Sequence, residues 1–191
     1  GIGADHMIEI FGQRAPLSDN TTIVSSVLYS FDDSRFRNDW NAFVALSNIE
    51  AASDGVYTEC QVPLFDLGSK STGAMKAVWQ TSDGSGTSDM SEIILGINTA
   101  NIQISDALAS LQKSGELPLT DDLVIDGYFA DWEFIAKYPD TDWNEYQENP
   151  ESVDNPNVDI DKYAGITQDD ESFFYLSVEG NMLSGTTIPS Q

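Results

Sequence analysis

Apolar and polar residues alternate with a period of two in several short runs along this chain. The clearest runs fall at residues 6–11, 27–31, 56–64, 75–79 and 173–178. Successive side chains of a strand point to opposite faces, so each run predicts a half-buried strand. Short segments rich in Gly, Asp, Asn and Ser separate the runs and favour tight turns. We therefore predict a mainly β fold, an antiparallel β-sandwich of jelly-roll or immunoglobulin-like type, in which each sheet has one face in solvent.

One segment has helical periodicity instead. Ile104, Leu108 and Leu111 lie at positions i, i+4 and i+7, which places them on one face of a helix. A serine can cap the start of this helix, and a lysine and a glycine suit its end. The pattern predicts one short connecting helix at about 105–113, inside a connector that spans residues 96–121.

The chain carries a large excess of negative charge. Its 191 residues include 32 Asp and Glu against 8 Lys and Arg, for a formal net charge of −24. This charge repels phosphate backbones and anionic lipids, which argues against nucleic acid or a membrane surface as a partner. No run reaches the ~18 apolar residues of a membrane span, so we expect no membrane insertion within this chain. The charge suits a cation-rich or extracellular setting, and a purely solubilising role explains it equally well.

The residues that nucleophilic and zinc chemistry require are scarce. Cys60 is the one cysteine and His6 the one histidine, which excludes a zinc site built from nitrogen and sulfur ligands. Cys60 lies in an alternating run between Thr58 and Val62, so we predict that it points into the core as a small apolar residue. Acidic residues are too numerous for any pair to be singled out as catalytic carboxylates. We therefore predict that the chain is not an enzyme.

A long acidic loop, interrupted by prolines, covers residues 139–161 and is the strongest candidate for a metal site. Calcium prefers six to eight oxygen ligands from carboxylates, amides and carbonyls, and this loop is rich in them. We predict that Ca²⁺ binds there, and a solvated acidic loop without metal is the alternative. The candidate ligands are Asp140, Asp142, Asp154, Asn157, Asp159 and Asp161.

Aromatic residues of the same loop are candidates for a sugar-binding platform. Trp143 lies beside Tyr138 and Tyr146, and exposed rings of this kind can stack on the apolar face of a pyranose. Trp79, in a regular alternation, and Trp132 are expected in the core. The candidate carbohydrate-binding residues are therefore Trp143, Tyr138 and Tyr146.

Several short motifs resemble one family of β-sandwich domains. Residues 124–132, with the sequence VIDGYFADW, contain an I-D-G-x-x-x-D-W pattern. This pattern resembles the opening strand of the carbohydrate-binding family 9-like, DOMON-related domains. Other segments resemble further strands of that family, at residues 3–9, 28–31, 58–68, 79–83, 157–163 and 173–180.

The order of these motifs is swapped relative to the family. Residues 1–95 resemble the C-terminal half of a sandwich, and residues 122–191 resemble the N-terminal half. The two halves can close on each other within one chain, as a circular permutant. Alternatively, each half completes a neighbouring chain by strand exchange, which propagates into a polymer or filament unless it closes a ring. The absence of the family's D-T-D strand between the halves favours exchange.

The resemblance implies a secreted or cell-surface module of the kind that occurs in tandem in archaeal and bacterial surface proteins. Some members bind sugars, often with structural Ca²⁺. We therefore predict a non-catalytic, extracellular structural or assembly module, whose partners are other copies of itself or flanking repeats of the same surface protein. A carbohydrate-binding module that takes glycans is the alternative, and a glycan-active enzyme is a third hypothesis.

Overall fold

The structure, a computed structural model, confirms the mainly β prediction. It describes residues 4–11, 22–23, 25–36, 39–68, 74–83, 86–91, 95–98, 123–133, 135–140, 153, 155–168 and 170–182. The strands are β1 (His6–Phe11), β2 (Thr22–Ile23), β3 (Ser25–Phe31), β4 (Phe43–Asn48), β5 (Glu50–Ser53), β6 (Tyr57–Pro63), β7 (Ala74–Ala77), β8 (Gln80–Ser82), β9 (Ser88–Met90), β10 (Leu95–Asn98), β11 (Tyr138–Pro139), β12 (Ile160–Gln168) and β13 (Glu171–Val178). Two 3₁₀ helices cover Trp40–Ala42 and Phe129–Trp132.

The connecting helix predicted at 105–113 lies outside the described residues. Among the helices that are described, none is both long enough and apolar enough to cross a membrane.

All strand pairs described are antiparallel, as the turn-rich sequence predicts. The largest sheet has six strands in the order β11-β12-β13-β6-β5-β2, and a second sheet has the order β1-β3-β4. Two further pairs are β10 with β7 and β8 with β9. Strands β8 and β9 form a hairpin, in which the N–H of Asp83 donates to the carbonyl of Thr87.

A seam between the two β-rich parts of the chain runs through the middle of the six-stranded sheet. Strand β6 pairs with β13 from Pro63 opposite Glu171 to Tyr57 opposite Ser177. Strands β2, β5 and β6 come from the first part, and β11, β12 and β13 come from the second. In the structure, both strands of this seam belong to the same chain. Exchange of strands between chains stays a prediction.

One face of the six-stranded sheet packs against the β1-β3-β4 sheet and makes the sandwich core. Leu28 of β3 meets Cys60 and Val62 of β6 and Phe174 of β13, and all four are buried. The inward orientation predicted for Cys60 is therefore confirmed. Partly buried residues complete this core, namely Ile8, Ile10, Ile49, Leu67, Met75, Ala77 and Trp79.

The opposite face of the six-stranded sheet is also buried, so the expectation of one solvent face for each sheet is wrong here. Residues 123–133 and Ile135, called the covering segment below, lie across this face, and Trp132 packs there against Ala164, Phe173 and Tyr175. Phe173 and Tyr175 point away from the sandwich core, while Phe174 between them points into it. Three consecutive aromatic residues on a strand need cover on both faces, and the covering segment supplies the second cover.

The segment that the resemblance places in an opening strand has a different conformation. Residues 123–128 are irregular, and Phe129–Trp132 form a 3₁₀ helix. The N–H groups of Val124, Asp126, Gly127 and Tyr128 are bound by carboxylates. The residues responsible form a polar site whose central side chain is fully buried.

Candidate functional site

A fully buried glutamate lies at the centre of this site. Glu59 belongs to β6, and its side chain points to the face under the covering segment. One carboxylate oxygen, Oε1, accepts the N–H groups of Asp126 at 3.0 Å and Gly127 at 2.8 Å. The other, Oε2, accepts the indole Nε1–H of Trp132 at 2.8 Å. The carboxylate therefore ties the covering segment to the sheet at three points.

Asp126 and Asp131 fix the covering segment from within. The Oδ1 atom of Asp126 accepts the N–H of Tyr128, and Oδ2 of Asp131 accepts the N–H of Val124. Gly127 between them has φ +79°, a left-handed conformation in which a side chain is strained. Glu59, Asp126, Gly127, Asp131 and Trp132 together are called the Glu59 clasp below. The clasp explains the I-D-G-x-x-x-D-W spacing as a fastening device of the fold.

Burial dominates the electrostatics of the clasp. It raises the pKa of Glu59 from 4.5 to about 7, although the N–H donors of Gly127, Trp132 and Asp126 pull it down. The negative charge of Asp131 raises it further. Burial also raises the pKa of Asp131, whose Oδ1 is buried and has no hydrogen-bond partner among the described residues.

Aromatic rings and one lysine enclose the clasp. The ring of Tyr175 lies 5.2 Å from that of Trp132, and Tyr57 and Phe129 pack beside it. The ammonium of Lys137 lies 5.4 Å from the centre of the Tyr175 ring and donates to the carbonyl of Trp132 at 2.5 Å. Burial lowers the pKa of Lys137 and raises that of Tyr175 to about 12.

A raised glutamate pKa is also the property of a general acid, so the clasp must be weighed as an active site. Glu59 has no exposed surface, and its two oxygens already accept three N–H groups from the chain. A substrate atom has no access to this carboxylate in this arrangement. Cys60 beside it is equally shielded, and burial raises its pKa to about 12, so its thiolate is not formed near neutral pH. Both groups have structural roles.

The described part of the acidic loop lies beside the β8–β9 hairpin. The hydroxyl of Thr81 donates to the carbonyl of Val158, and Oδ2 of Asp89 accepts the N–H of Ile160 at 2.8 Å. The amide of Asn155 reaches Oδ2 of Asp83 at 3.2 Å. Asp89 is buried, and its bond to Ile160 fixes the point where β12 begins.

Four of the six predicted calcium ligands belong to the described residues. The N–H of Asp140 donates to the carbonyl of Asp161 at 2.9 Å, which brings these two residues together. Asp159 is buried, Asn157 accepts the N–H of Asn181, and the carboxylate of Asp161 pairs with Lys162.

The other two predicted ligands, Asp142 and Asp154, lie outside the described residues. Over the described ranges, no three acidic, histidine or cysteine side chains are grouped as a metal site requires. The calcium site therefore stays a prediction.

Of the predicted sugar platform, only Tyr138 is described, and Trp143 and Tyr146 lie outside the described residues. Tyr138 is exposed on β11 and stacks on the buried Tyr163, with ring centres 6.1 Å apart. Trp79 lies on Tyr163 as well, at 5.0 Å. Trp79 is only half-buried, whereas the core position expected for Trp132 is confirmed.

Sequence reasoning missed the roles of Glu59 and Asp89. Both occupy alternating or turn-flanking positions that suit solvent-exposed acids, and their partners are distant in the sequence. One signal in the sequence could have revealed the role of Glu59, namely the aromatic run of β13. Consecutive aromatic residues indicate that both faces of the sheet are covered, so that polar side chains on either face are buried.

Comparison of the chain with protein-family models, curated proteins and solved structures found no match. The resemblance to the carbohydrate-binding family 9-like domains therefore stays a prediction from the short motifs.

Proposed function

We propose that this chain is a non-catalytic structural module of an extracellular, cell-surface protein that assembles with other copies of itself or with neighbouring repeats. The β6–β13 seam is the observation that carries the proposal. It joins two three-stranded halves from opposite ends of the chain, and each half alone leaves a long strand edge. The same pairs can form between two chains, as in β-strand addition.

The buried polar groups support a structural role. Glu59 and Asp131 bind backbone N–H groups of residues 124–127, and Asp89 binds that of Ile160. Glu59 fastens the covering segment to the sheet, and Asp89 fastens the start of β12 to the β8–β9 hairpin. Asp131 holds the covering segment together from within. These acids serve to hold the fold together.

The net charge of −24 supports an extracellular, cation-rich setting and a Ca²⁺-stabilised fold. Repulsion among the carboxylates opposes the compact state, and a bound divalent cation offsets it. The acidic loop at 139–161 is the proposed place for that cation.

A cross-linking experiment at the seam tests the mode of assembly. Thr58 lies opposite Leu176 in the β6–β13 register. We therefore propose Thr58→Cys with Leu176→Cys, in a Cys60→Ala background, oxidised and separated on a denaturing gel. Cross-linked multiples of one chain support exchange. Cross-linked single chains, from a protein whose native mass is that of one chain, contradict an assembly role. Thr58→Cys alone in the same background is the control.

The exposed ring of Tyr138, held by stacking on Tyr163, favours a carbohydrate-binding module as the second candidate. Affinity electrophoresis through gels that contain polysaccharides tests it. Retardation of the wild-type chain that Tyr138→Ala removes would favour this candidate. Tyr128→Ala, at another exposed tyrosine, is the matched control. Unretarded migration in every gel would count against it.

A further inference from the structure

Strand β4 forms an outer edge of the β1-β3-β4 sheet. In the part of the chain that the structure describes, it pairs only with β3, from Phe43 opposite Phe31 to Asn48 opposite Val27. The other side of β4 is thus a strand edge able to accept a further strand. Proteins usually protect such edges with charge, proline or short length.

Protection of this kind is missing from β4 and present in the edge strands β1 and β11. β4 reads FVALSN, and the ten residues Trp40–Ile49 contain no charged side chain, in a chain that is 21% charged. By contrast, β1 contains Glu9, and β11 has two residues, one of them Pro139. Within the described ranges, the β4 edge is therefore open to pairing.

The side chains of β4 are also exposed. Val44 is 55% exposed and Leu46 is 53% exposed, although both are aliphatic. Trp40, 67% exposed, packs on Phe43 at 6.0 Å, and Phe43 contacts Phe31 at 5.4 Å. An exposed apolar surface thus extends from Trp40, just before β4, along the strand to Leu46.

We propose that β4 is a self-association edge, at which β4 of one chain pairs antiparallel with β4 of a second copy. A short segment with β-forming residues, no charge and neither Pro nor Gly is typical of strands that pair with themselves. The net charge selects this strand for contact between copies: two chains of −24 repel each other, and they meet with least repulsion where neither carries a charged side chain.

Pairing of this kind is isologous, since the same strand is used by both copies around a two-fold axis. It joins two three-stranded sheets into one of six strands and covers Val44 and Leu46. This inference rests on the proposed assembly role and names the surface that serves it. A chain with this edge and an exchanged seam has two separate contacts for building a larger assembly.

Charged substitutions at the edge provide the test. Leu46→Lys and Val44→Lys place a cation on exposed positions of β4, whereas Phe65→Lys makes the same change at a residue that is 88% exposed in the turn after β6. We expect sedimentation equilibrium to show a wild-type dimer whose dissociation constant rises at least about tenfold in both β4 variants. Phe65→Lys should leave it unchanged.

Hydrogen exchange supplies the second readout. Amides of residues 43–48 should exchange more slowly as the wild-type concentration rises, and should not do so in Leu46→Lys. Association should strengthen with salt, because salt screens the repulsion between the chains.

An assembly that persists in Leu46→Lys and Val44→Lys would overturn the β4 proposal and leave the proposed function standing. Equal effects of Leu46→Lys and Phe65→Lys would also overturn it. A wild-type chain that stays monomeric at every concentration and salt level would contradict both the β4 proposal and the proposed assembly role.

Discussion

Glu59 and Trp132 lie 73 positions apart in the sequence and meet through a 2.8 Å hydrogen bond between two fully buried side chains. Glu59 is part of β6, in the first half of the chain, and Trp132 ends the 3₁₀ helix of the covering segment. The bond therefore fastens one half of the chain to the other.

Removing the indole N–H should destabilise the protein. Trp132→Phe keeps most of the buried ring but leaves Oε2 of Glu59 without a donor, so we expect a loss of ~1–3 kcal/mol in the free energy of unfolding. Urea unfolding measures it. Trp40→Phe, at an exposed tryptophan, should change stability by no more than ~0.5 kcal/mol. Equal losses in the two variants would show that the bond contributes nothing.

Stability should depend on pH through Glu59. Its pKa is about 7 in the folded chain against an ordinary 4.5, so the folded state binds this proton more tightly. The contribution of Glu59 is therefore complete below its ordinary pKa and is lost as pH rises to about 7. The shift corresponds to about 3 kcal/mol.

The difference in unfolding free energy between wild type and Glu59→Gln isolates this contribution from the other carboxylates. We expect the difference to move in favour of wild type by about 3 kcal/mol between about pH 8 and about pH 4.5. Glu133→Gln, at an exposed glutamate, should follow the wild-type profile. Parallel profiles for wild type and Glu59→Gln would rule out a raised pKa at Glu59.

Alternation along the chain was sufficient to predict the fold class and several of the strands. It was sufficient because the side-chain pattern of a half-buried strand is local. Runs 6–11 and 173–178 match β1 and β13 closely, and Cys60 points inward as expected.

The second cover of the sheet could not be predicted in this way. Residues 124–132 have no periodicity of their own, and their conformation is decided by Glu59, which is distant in the sequence. The same limit applies to the acidic loop, where Asp89 and Thr81 of the β8–β9 hairpin bind backbone groups of Ile160 and Val158.

Cys60 should be unreactive in the folded protein. It is buried between the two sheets, and burial raises its pKa to about 12. We expect no reaction with a thiol reagent under native conditions near neutral pH and one equivalent after unfolding in urea. Ser34→Cys, at an exposed loop position, is the positive control. Equal native reaction rates at the two positions would contradict the burial of Cys60.

Calcium should raise the thermal stability of the chain. A cation that binds only the folded state contributes about 2.7 kcal/mol at ~100 times its dissociation constant. The melting temperature is measured with CaCl₂ and with EDTA at matched ionic strength. Asp159→Asn and Asp161→Asn should reduce the calcium-dependent rise, and Asp33→Asn, in the exposed loop after β3, should not. A rise that NaCl alone reproduces would reduce the effect to charge screening.

The native mass of the chain decides whether it is an assembly module. Mass photometry from nanomolar concentrations, continued by sedimentation equilibrium into the micromolar range, covers weak and strong association. We expect species at multiples of the 20.9 kDa chain mass, and the fraction of chains in these species should grow with protein concentration. A single 20.9 kDa species at every concentration, in low and in high salt, would contradict an assembly role.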